Sequence, residues 1–388
     1  MESTPRANDP AERWIGLLGR RESPTDGVED YCSFLGAALR RESVGLRSVR
    51  VNWAEEGWPG ALRRLWGESA GWTGNWVLLQ FTTLAWSRRG FPLRLPKLIR
   101  SLKQRGARCA VVFHDANLYP GRRMIDRVRR TLQLYVMRRA LRLADLCVVT
   151  IPLEKAFWIP KGSRNVVFIP VGANLPAPER AWSAEKNKAG GAATVGVFSV
   201  SPDSVGTEEV NLIAQAVRYA AEKTGKLRLV MVGRNSDEAG RQLEQGLMGT
   251  PVQVVVHGLL AGDEIVRVLG SCHAMLFTRG QISSRRGSAI AGIACGLPII
   301  APEGSETAAP LTEAGVVLLP AGARDEFGPA LVRVLTDDAY RESLAERSRR
   351  AQERYFSWRA ISAQYVKSLR ETETTQSRGF QVARGSKK

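Results

Sequence analysis

The 388-residue chain lacks the signatures of several large protein classes. No uninterrupted apolar stretch approaches the roughly 20 residues that cross a bilayer. The opening MESTPRANDPAERW is too polar for a secretory signal, so the sequence predicts a cytoplasmic protein. Five cysteines, Cys32, Cys109, Cys147, Cys272 and Cys295, lie far apart with no CxxC or Cys/His ligand spacing. They read as buried thiols and exclude a disulfide framework and a zinc site. Only three histidines are present, with no acidic cluster beside them, which argues against a metallohydrolase. GxxxxGK[ST] and GxSxG are absent, and Gly16, Gly19 and Gly27 do not make GxGxxG. P-loop NTPases and simple NAD-binding domains therefore lose their usual support.

What the chain has in excess is positive charge: 56 Lys and Arg against 38 Asp and Glu, a formal net charge of +18. Such a surplus attracts polyanions. Its distribution is uneven, since Arg88 to Asp145 carries 16 basic residues against three acidic ones, Asp115, Asp126 and Asp145. The excess therefore belongs to one face of one domain.

Twelve short β-branched or apolar runs alternate with segments of helical spacing, the pattern of βαβ units and a parallel sheet. Six lie in the first half: Trp14 to Gly19, Ser48 to Trp53, Trp76 to Phe81, Arg108 to Asp115, Leu146 to Ile151 and Asn165 to Gly172. Six lie in the second: Thr194 to Val200, Arg228 to Gly233, Val252 to Gly258, His273 to Arg279, Leu297 to Pro302 and Gly315 to Pro320. This predicts two doubly wound α/β domains, residues 1–175 and 194–355, joined by a linker over 176–193 rich in Pro, Ala and Lys. A helix over 356–371 follows a break at Tyr355, Phe356 and Trp358, and the polar, basic residues 372–388 read as a disordered tail. In open parallel sheets ligands bind beyond the carboxyl ends of the strands, so function is expected in the loops that follow them.

Four such loops carry chemistry. In Glu22 to Leu39 a polar turn leads into a helix, where Gly27 would let a ligand approach the positive helix end; the alternative is that Asp26 caps the helix and Gly27 is turn punctuation. His114 and Asp115 stand directly at the end of a buried strand, where an imidazole can exchange hydrogen bonds with a substrate hydroxyl and the aspartate can act beside it or cap a turn. His257 and His273, flanked by strand-like sequence, read as structural. Ser284, Arg285, Arg286, Gly287 and Ser288 gather hydroxyls, guanidinium charge and backbone N–H groups at the start of a small-residue helix, as binding a phosphate requires. Arg234 follows the Val-Met-Val-Gly strand end and would project into the same cleft; the alternative is a plain βα turn.

These residues together resemble the GT-B glycosyltransferases, most closely the family 4-like group. The likeness spans nearly the whole chain: DGVEDY at the first helix, HD after the fourth strand, VMVG, VHGLLAGDEIVRVLGSCHAMLF, ACGLPIIAPEGSE and the FSW before the last helix. It implies two Rossmann-like domains facing across a cleft. The second would hold the nucleotide of a sugar nucleotide and the first an acceptor, with the final helix crossing back to the first. The implied activity is transfer of a glycosyl group to a hydroxyl of a glycan or lipid-linked acceptor, in polysaccharide or glycoconjugate biosynthesis. Retention of configuration is implied, with no metal and no cofactor beyond the sugar nucleotide, and no DxD motif argues otherwise. His114 and Asp115 would be catalytic, and Gly27, Arg234 and Ser284 to Ser288 would hold the donor. The sequence departs from the family at the two glutamates eight positions apart before CGLP, replaced here by Ser283 and Ala291. The basic pair after the first strand of the second domain is also not evident.

Arg122 to Asp145 forms an arginine-rich amphipathic helix with Ile125, Val128, Leu132, Tyr135 and the Arg139 to Leu143 region on its apolar side. It suits peripheral attachment to an anionic membrane surface; the alternative is that the apolar side packs on the sheet and the arginines are solvated. Two other readings stay open: a GT-B-like scaffold without transfer activity, and a nucleic-acid binder using the basic region. The latter has no RRM, zinc-finger or helix-turn-helix signature, so no nucleic-acid partner is expected.

Overall fold

The computed structural model of the chain describes residues 12–23, 25–118, 121, 123–177 and 191–385. They fall into two compact units, one reaching to Pro170 and rejoined by the segment from Trp358, the other Val171–Ser357. Most of the expected linker, residues 178–190, lies outside the described residues.

The first unit runs β1 (Glu12–Leu18), α1 (Gly27–Leu39), β2 (Val44–Arg50), α2 (Trp53–Glu68), β3 (Trp76–Phe81), α3 (Leu95–Gln104), β4 (Arg108–Phe113), α4 (Met124–Leu143), β5 (Leu146–Val149) and β6 (Val166–Phe168). The six strands are all parallel, in the order β2-β1-β3-β4-β5-β6. All twelve apolar runs become strands, with one boundary moved: the second strand starts at Val44, and Trp53 of the expected run instead opens α2. Residues of β3 alternate as the strand period demands. Val77, Leu79 and Phe81 join a core with Leu98 and Leu102 of α3 and Val136 and Met137 of α4. Trp76, Leu78 and Gln80 occupy the other face and are buried too. Burial of both faces explains why these strands read as continuous apolar runs.

The second unit runs β7 (Ala193–Phe198), α5 (Asp203–Thr224), β8 (Leu227–Val232), α6 (Ser236–Gly246), β9 (Val252–Gly258), α7 (Gly262–Gly270), β10 (Ala274–Leu276), α8 (Gly287–Ala294), β11 (Ile299–Pro302), β12 (Val316–Leu319), α9 (Phe327–Thr336) and α10 (Asp338–Ala351). Its parallel order, β12-β11-β10-β7-β8-β9, is that of the dinucleotide-binding Rossmann sheet. Strand order reverses at β1/β3 in the first sheet and at β7/β10 in the second, and with right-handed crossovers the reversal puts helices on both faces of each sheet. Loops diverge at those points and leave room for a ligand.

The last helix, α11 (Trp358–Gly385), belongs to the first unit and packs on α1. Tyr365 and Tyr31 share a hydrogen bond of 2.9 Å between their hydroxyls, and Trp358 stacks on Phe34. Glu373 accepts from Trp76 Nε1 (2.7 Å) and Arg108 Nη1 (2.5 Å). The helix runs past the expected end at residue 371 to Gly385, and residues 386–388 of the expected tail lie outside the described residues. All five cysteines are buried, and no disulfide joins them among the described residues. Burial pushes the thiols of Cys32, Cys109, Cys272 and Cys295 up to about 12, so they stay protonated and inert.

Gly19, just past β1, sits where chain passes chain: a Cβ there would lie 2.4 Å from the carbonyl oxygen of Ala85. Arg20 N donates to that same oxygen at 2.8 Å. Gly19→Ala is therefore expected to force the two loops apart and destabilise the fold by about 1–3 kcal/mol. Chemical denaturation measures this, and an unchanged midpoint would contradict the packing.

Candidate functional site

In the first unit, a cavity of about 230 Å³ opens at the β1/β3 reversal and is lined by Arg20, Asp26, Arg50, Gln80, Thr82 and Asp115, among others. Arg50, at the end of β2, binds the loop after β1 to it. Its Nη1 donates to Gly19 O (2.8 Å), and its Nη2 lies 3.1 Å from both Asp26 Oδ2 and Glu29 Oε2. Asp26 Oδ1 in turn accepts from the N–H groups of Val28 (3.1 Å) and Glu29 (3.2 Å), capping α1. Gly27 is the first residue of that helix, so the helix end offered to a ligand at Gly27 already holds a carboxylate. Capping by Asp26 is the geometry found.

His114 follows β4, with its backbone N–H on Phe81 O (3.0 Å), and is half-buried with its ring edge-on to Tyr31, 4.9 Å between centroids. Its Nε2 lies 2.8 Å from Gln80 Oε1. The Gln80 amide is oriented by Nε2 donating to Leu78 O (3.1 Å), which leaves Oε1 as the acceptor facing the imidazole. His114 Nε2 therefore carries the proton, and Nδ1 keeps a lone pair that can accept from a hydroxyl. Asp115 Oδ2 accepts from Thr83 N at 2.6 Å and so fixes the loop after β3 while lining the cavity. Gln80 and Arg50 were not singled out by the sequence: one sits inside an apolar strand, the other at the end of a polar one.

Burial pushes His114 down to about 4 from its ordinary 6.5, against a smaller opposing effect of the Asp26 charge. The ring is thus neutral at pH 7. Between pH 6.5 and about 4 the unfolded chain binds this proton while the folded one does not, so the histidine's contribution to stability falls as pH falls through that window. An NMR titration of the His114 ring is expected to give a midpoint near 4; a midpoint at 6 or above would contradict the burial.

In the second unit the loops after β7, β8 and β10 converge at the β7/β10 reversal. The first two are stapled together: Arg234 N donates to Ser199 Oγ (3.1 Å), Val200 N to Arg234 O (3.1 Å), and Asn235 Nδ2 to Val200 O (2.8 Å). Ser199 and Asn235 hold left-handed backbone, at φ of 63° and 59°. For Ser199 that conformation is strained and marks a loop shaped for more than connection. Arg279, just beyond β10, lies within electrostatic range of Arg234, and Arg286 within range of Arg279 and Arg285. Burial pulls the Arg279 and Arg286 guanidiniums below their usual value; their arginine neighbours add to this, while Glu209 opposes it at Arg279, and Glu306 and then Glu209 oppose it at Arg286. The Nε–H groups of Arg279 and Arg286 and the hydroxyls of Thr278 and Ser283 are sealed from water without a hydrogen-bond partner among the described residues, as is one acceptor, Glu209 Oε1. The orphaned donors beside clustered arginines suit an anion, which would have to sit away from the Glu209 carboxylate.

The start of α8 adds to this. Arg286 is its N-cap, no side chain caps it, and Gly287 and Ser288 N–H groups have no acceptor among the described residues. Of the two helix starts picked out by sequence, α1 is closed by its own aspartate and α8 is open. Ser284 is buried and its carbonyl accepts from Val171 N (3.2 Å). Arg285 differs from its neighbour: Nε and Nη2 form a bidentate pair with Glu306 at 2.7 and 3.0 Å. Its charge is already compensated, which corrects its grouping with Arg286. Arg279 was missed because one arginine after a strand end carries no pattern. Ala291 is buried in α8.

On α4 the expected apolar side divides. Val136, Met137, Ala140 and Leu141 are buried, whereas Ile125, Val128 and Tyr135 are about half exposed and Met124 is 73% exposed. The packing alternative accounts for the C-terminal half of the helix only. Among the described residues no helix is long and apolar enough to cross a membrane, and no group of three His, Cys, Asp or Glu is placed to hold a metal ion.

No protein-family model and no curated protein matches the chain. Solved structures do. Sucrose-phosphate synthase from Thermosynechococcus elongatus matches with a TM-score of 0.67 at 18% identity, over 94% of this chain and 100% of that one. HepE from Anabaena, solved in complex with UDP and glucose, matches with a TM-score of 0.63 at 14% identity, over 93% and 100%. Trehalose-6-phosphate synthase, studied for glycosyl transfer with retention, matches with a TM-score of 0.59 at 14% identity, over 93% and 99%.

Proposed function

We propose, for a chain with the two-sheet GT-B fold, that it is a glycosyltransferase moving a sugar from a nucleotide donor to a hydroxyl acceptor. The observation that carries this reading is the pair Arg279 and Arg286, whose Nε atoms are buried and unpartnered beside the open start of α8. A diphosphate there would accept from both guanidiniums and from the Gly287 and Ser288 N–H groups. Charge develops on the diphosphate as the glycosyl bond breaks, and donors fixed in place stabilise it without reorganising. Arg234 and Ser288 would complete the donor site, and Ser284 would shape its loop. Arg279 and Arg286 would supply the charge that the family takes from the basic pair after its first second-domain strand. HepE has been solved with UDP-glucose, which supports a nucleotide-sugar donor.

In the first unit, the acceptor hydroxyl would donate to His114 Nδ1, a neutral acceptor held by Gln80, with Asp115 and Arg50 shaping the cavity. We read the reaction as retaining and metal-independent, the departing phosphate assisting deprotonation and no cofactor being required. The acceptor is read as a glycan or lipid-linked sugar of polysaccharide or glycoconjugate synthesis. The exposed Met124, Ile125 and Val128, on a helix bearing Arg127 and Arg130, support work at an anionic membrane surface, on the cytoplasmic side. One observation favours a scaffold without transfer: Ser283 and Ala291 leave both family carboxylates absent. That reading keeps nucleotide binding and loses turnover.

The test is calorimetric titration with UDP, GDP, ADP and dTDP. One base is expected to bind, with Arg279→Ala and Arg286→Ala each weakening it roughly ten- to hundredfold through loss of a charge-assisted hydrogen bond. Arg285→Ala is expected to reduce thermal stability more than affinity, because it strands Glu306. Absence of binding by all four would refute the donor site. Product NMR from the matching sugar nucleotide then reads configuration, or its failure selects the scaffold.

A further inference from the structure

A feature left unused by this reading lies on the first unit's other helices. After a backbone break at Gly57 (φ 71°, ψ 160°), α2 restarts through Pro59 and presents Trp58, Leu62 and Trp66 at i, i+4 and i+8, one stripe along the helix. Facing it, α3 presents Lys97, Leu98 and Ser101, with Arg94 just before its start. Between them is a cavity of about 490 Å³, within the roughly 300–1,000 Å³ of small-molecule sites.

Its walls are apolar and its charge has one sign. Arg63, Arg94 and Lys97 stand at the rim, all exposed, and no carboxylate lines the cavity. None of the three forms an ion pair among the described residues. The indole faces are partly taken by other side chains. Trp58 is covered on one side by Trp53, 5.4 Å away and nearly parallel, and carries the Arg94 guanidinium 5.3 Å from its ring; Trp66 carries Arg105 at 5.0 Å. The Trp58 face is the less open of the two, and an alkyl chain needs only apolar walls. Indoles with cationic neighbours are the side chains that settle where a polar head meets a chain.

We propose that this seam binds one single-chain amphiphile with a phosphate monoester head, the chain lying along Trp58, Leu62 and Leu98 and the dianionic head meeting Arg63 and Lys97. Two free cations at the rim match a dianion better than the single charge of a glycerophospholipid diester. The site is separate from the exposed surface of α4 and does not rest on the transfer reading.

The experiment is calorimetric titration of the full chain with dodecyl phosphate below its micellar concentration. Inorganic phosphate, dodecyl maltoside and dihexanoyl phosphatidylglycerol are titrated in parallel. Dodecyl phosphate is expected to bind saturably at one per chain, at least tenfold tighter than each of the other three. The exposed pair Arg63→Glu/Lys97→Glu is expected to weaken it about tenfold or more, and Ser101→Trp, which fills the cavity, to abolish it, with thermal unfolding checking that each variant is folded. Equal affinity for the maltoside would make the seam a mere apolar sink, and equal affinity for phosphate an anion site alone. Equal affinity for the glycerolipid would remove the selectivity for a monoester. Each of these results, unaltered binding in both folded variants, or no saturable binding at all, overturns the proposal.

Discussion

The handedness of parallel crossovers governs where everything else in this chain is placed. A strand, a helix and the next parallel strand close on the sheet in one hand only, so a chain that winds first one way and then the other must reverse strand order once. In the first unit the reversal separates β1 from β3, and in the second β7 from β10. Each reversal parts two neighbouring loops. The cavity lined by Asp26, Arg50 and Asp115 lies at one, and Arg234, Arg279 and Arg286 gather at the other.

The two reversals are furnished oppositely. At the first, charge is balanced internally: Arg50 is answered by Asp26 and Glu29, α1 is capped by Asp26, and His114 is kept neutral by burial. That suits recognition of hydroxyls, which need fixed acceptors and donors without net charge. At the second, Arg285 is answered by Glu306, while among the described residues the buried Nε atoms of Arg279 and Arg286 stay unpartnered. Leaving such donors unpaired costs folding free energy. The geometry makes sense as preparation for an anion that arrives with its own charge.

Much of the fold was legible in the sequence because sheets buried on both faces write themselves as apolar runs, and all twelve became strands. The helix starts at Gly27 and Gly287 were legible from turn residues, but not which of them was filled, since Asp26 and Arg286 occupy the same cap position with opposite consequences. The pairing of Arg285 with Glu306 joins residues 21 apart, and no local pattern announces it. Arg279 and Gln80 were missed for the same reason: each matters through a neighbour brought up by the sheet. His273, read as structural, accepts from Thr194 N at 2.9 Å, a strand-edge contact. On α4, periodicity found apolar residues but could not say which half of the helix the sheet would cover.

The central claim is that the loop after β10 and the start of α8 form an anion site for a nucleoside diphosphate. Amide hydrogen exchange with and without a saturating nucleoside diphosphate tests it most directly. The account predicts slowed exchange confined to the segments around Arg234 and from Arg279 to Ile290, including the Gly287 and Ser288 amides, with the cavity of the first unit unchanged. Protection elsewhere with none across 279–290 would contradict it.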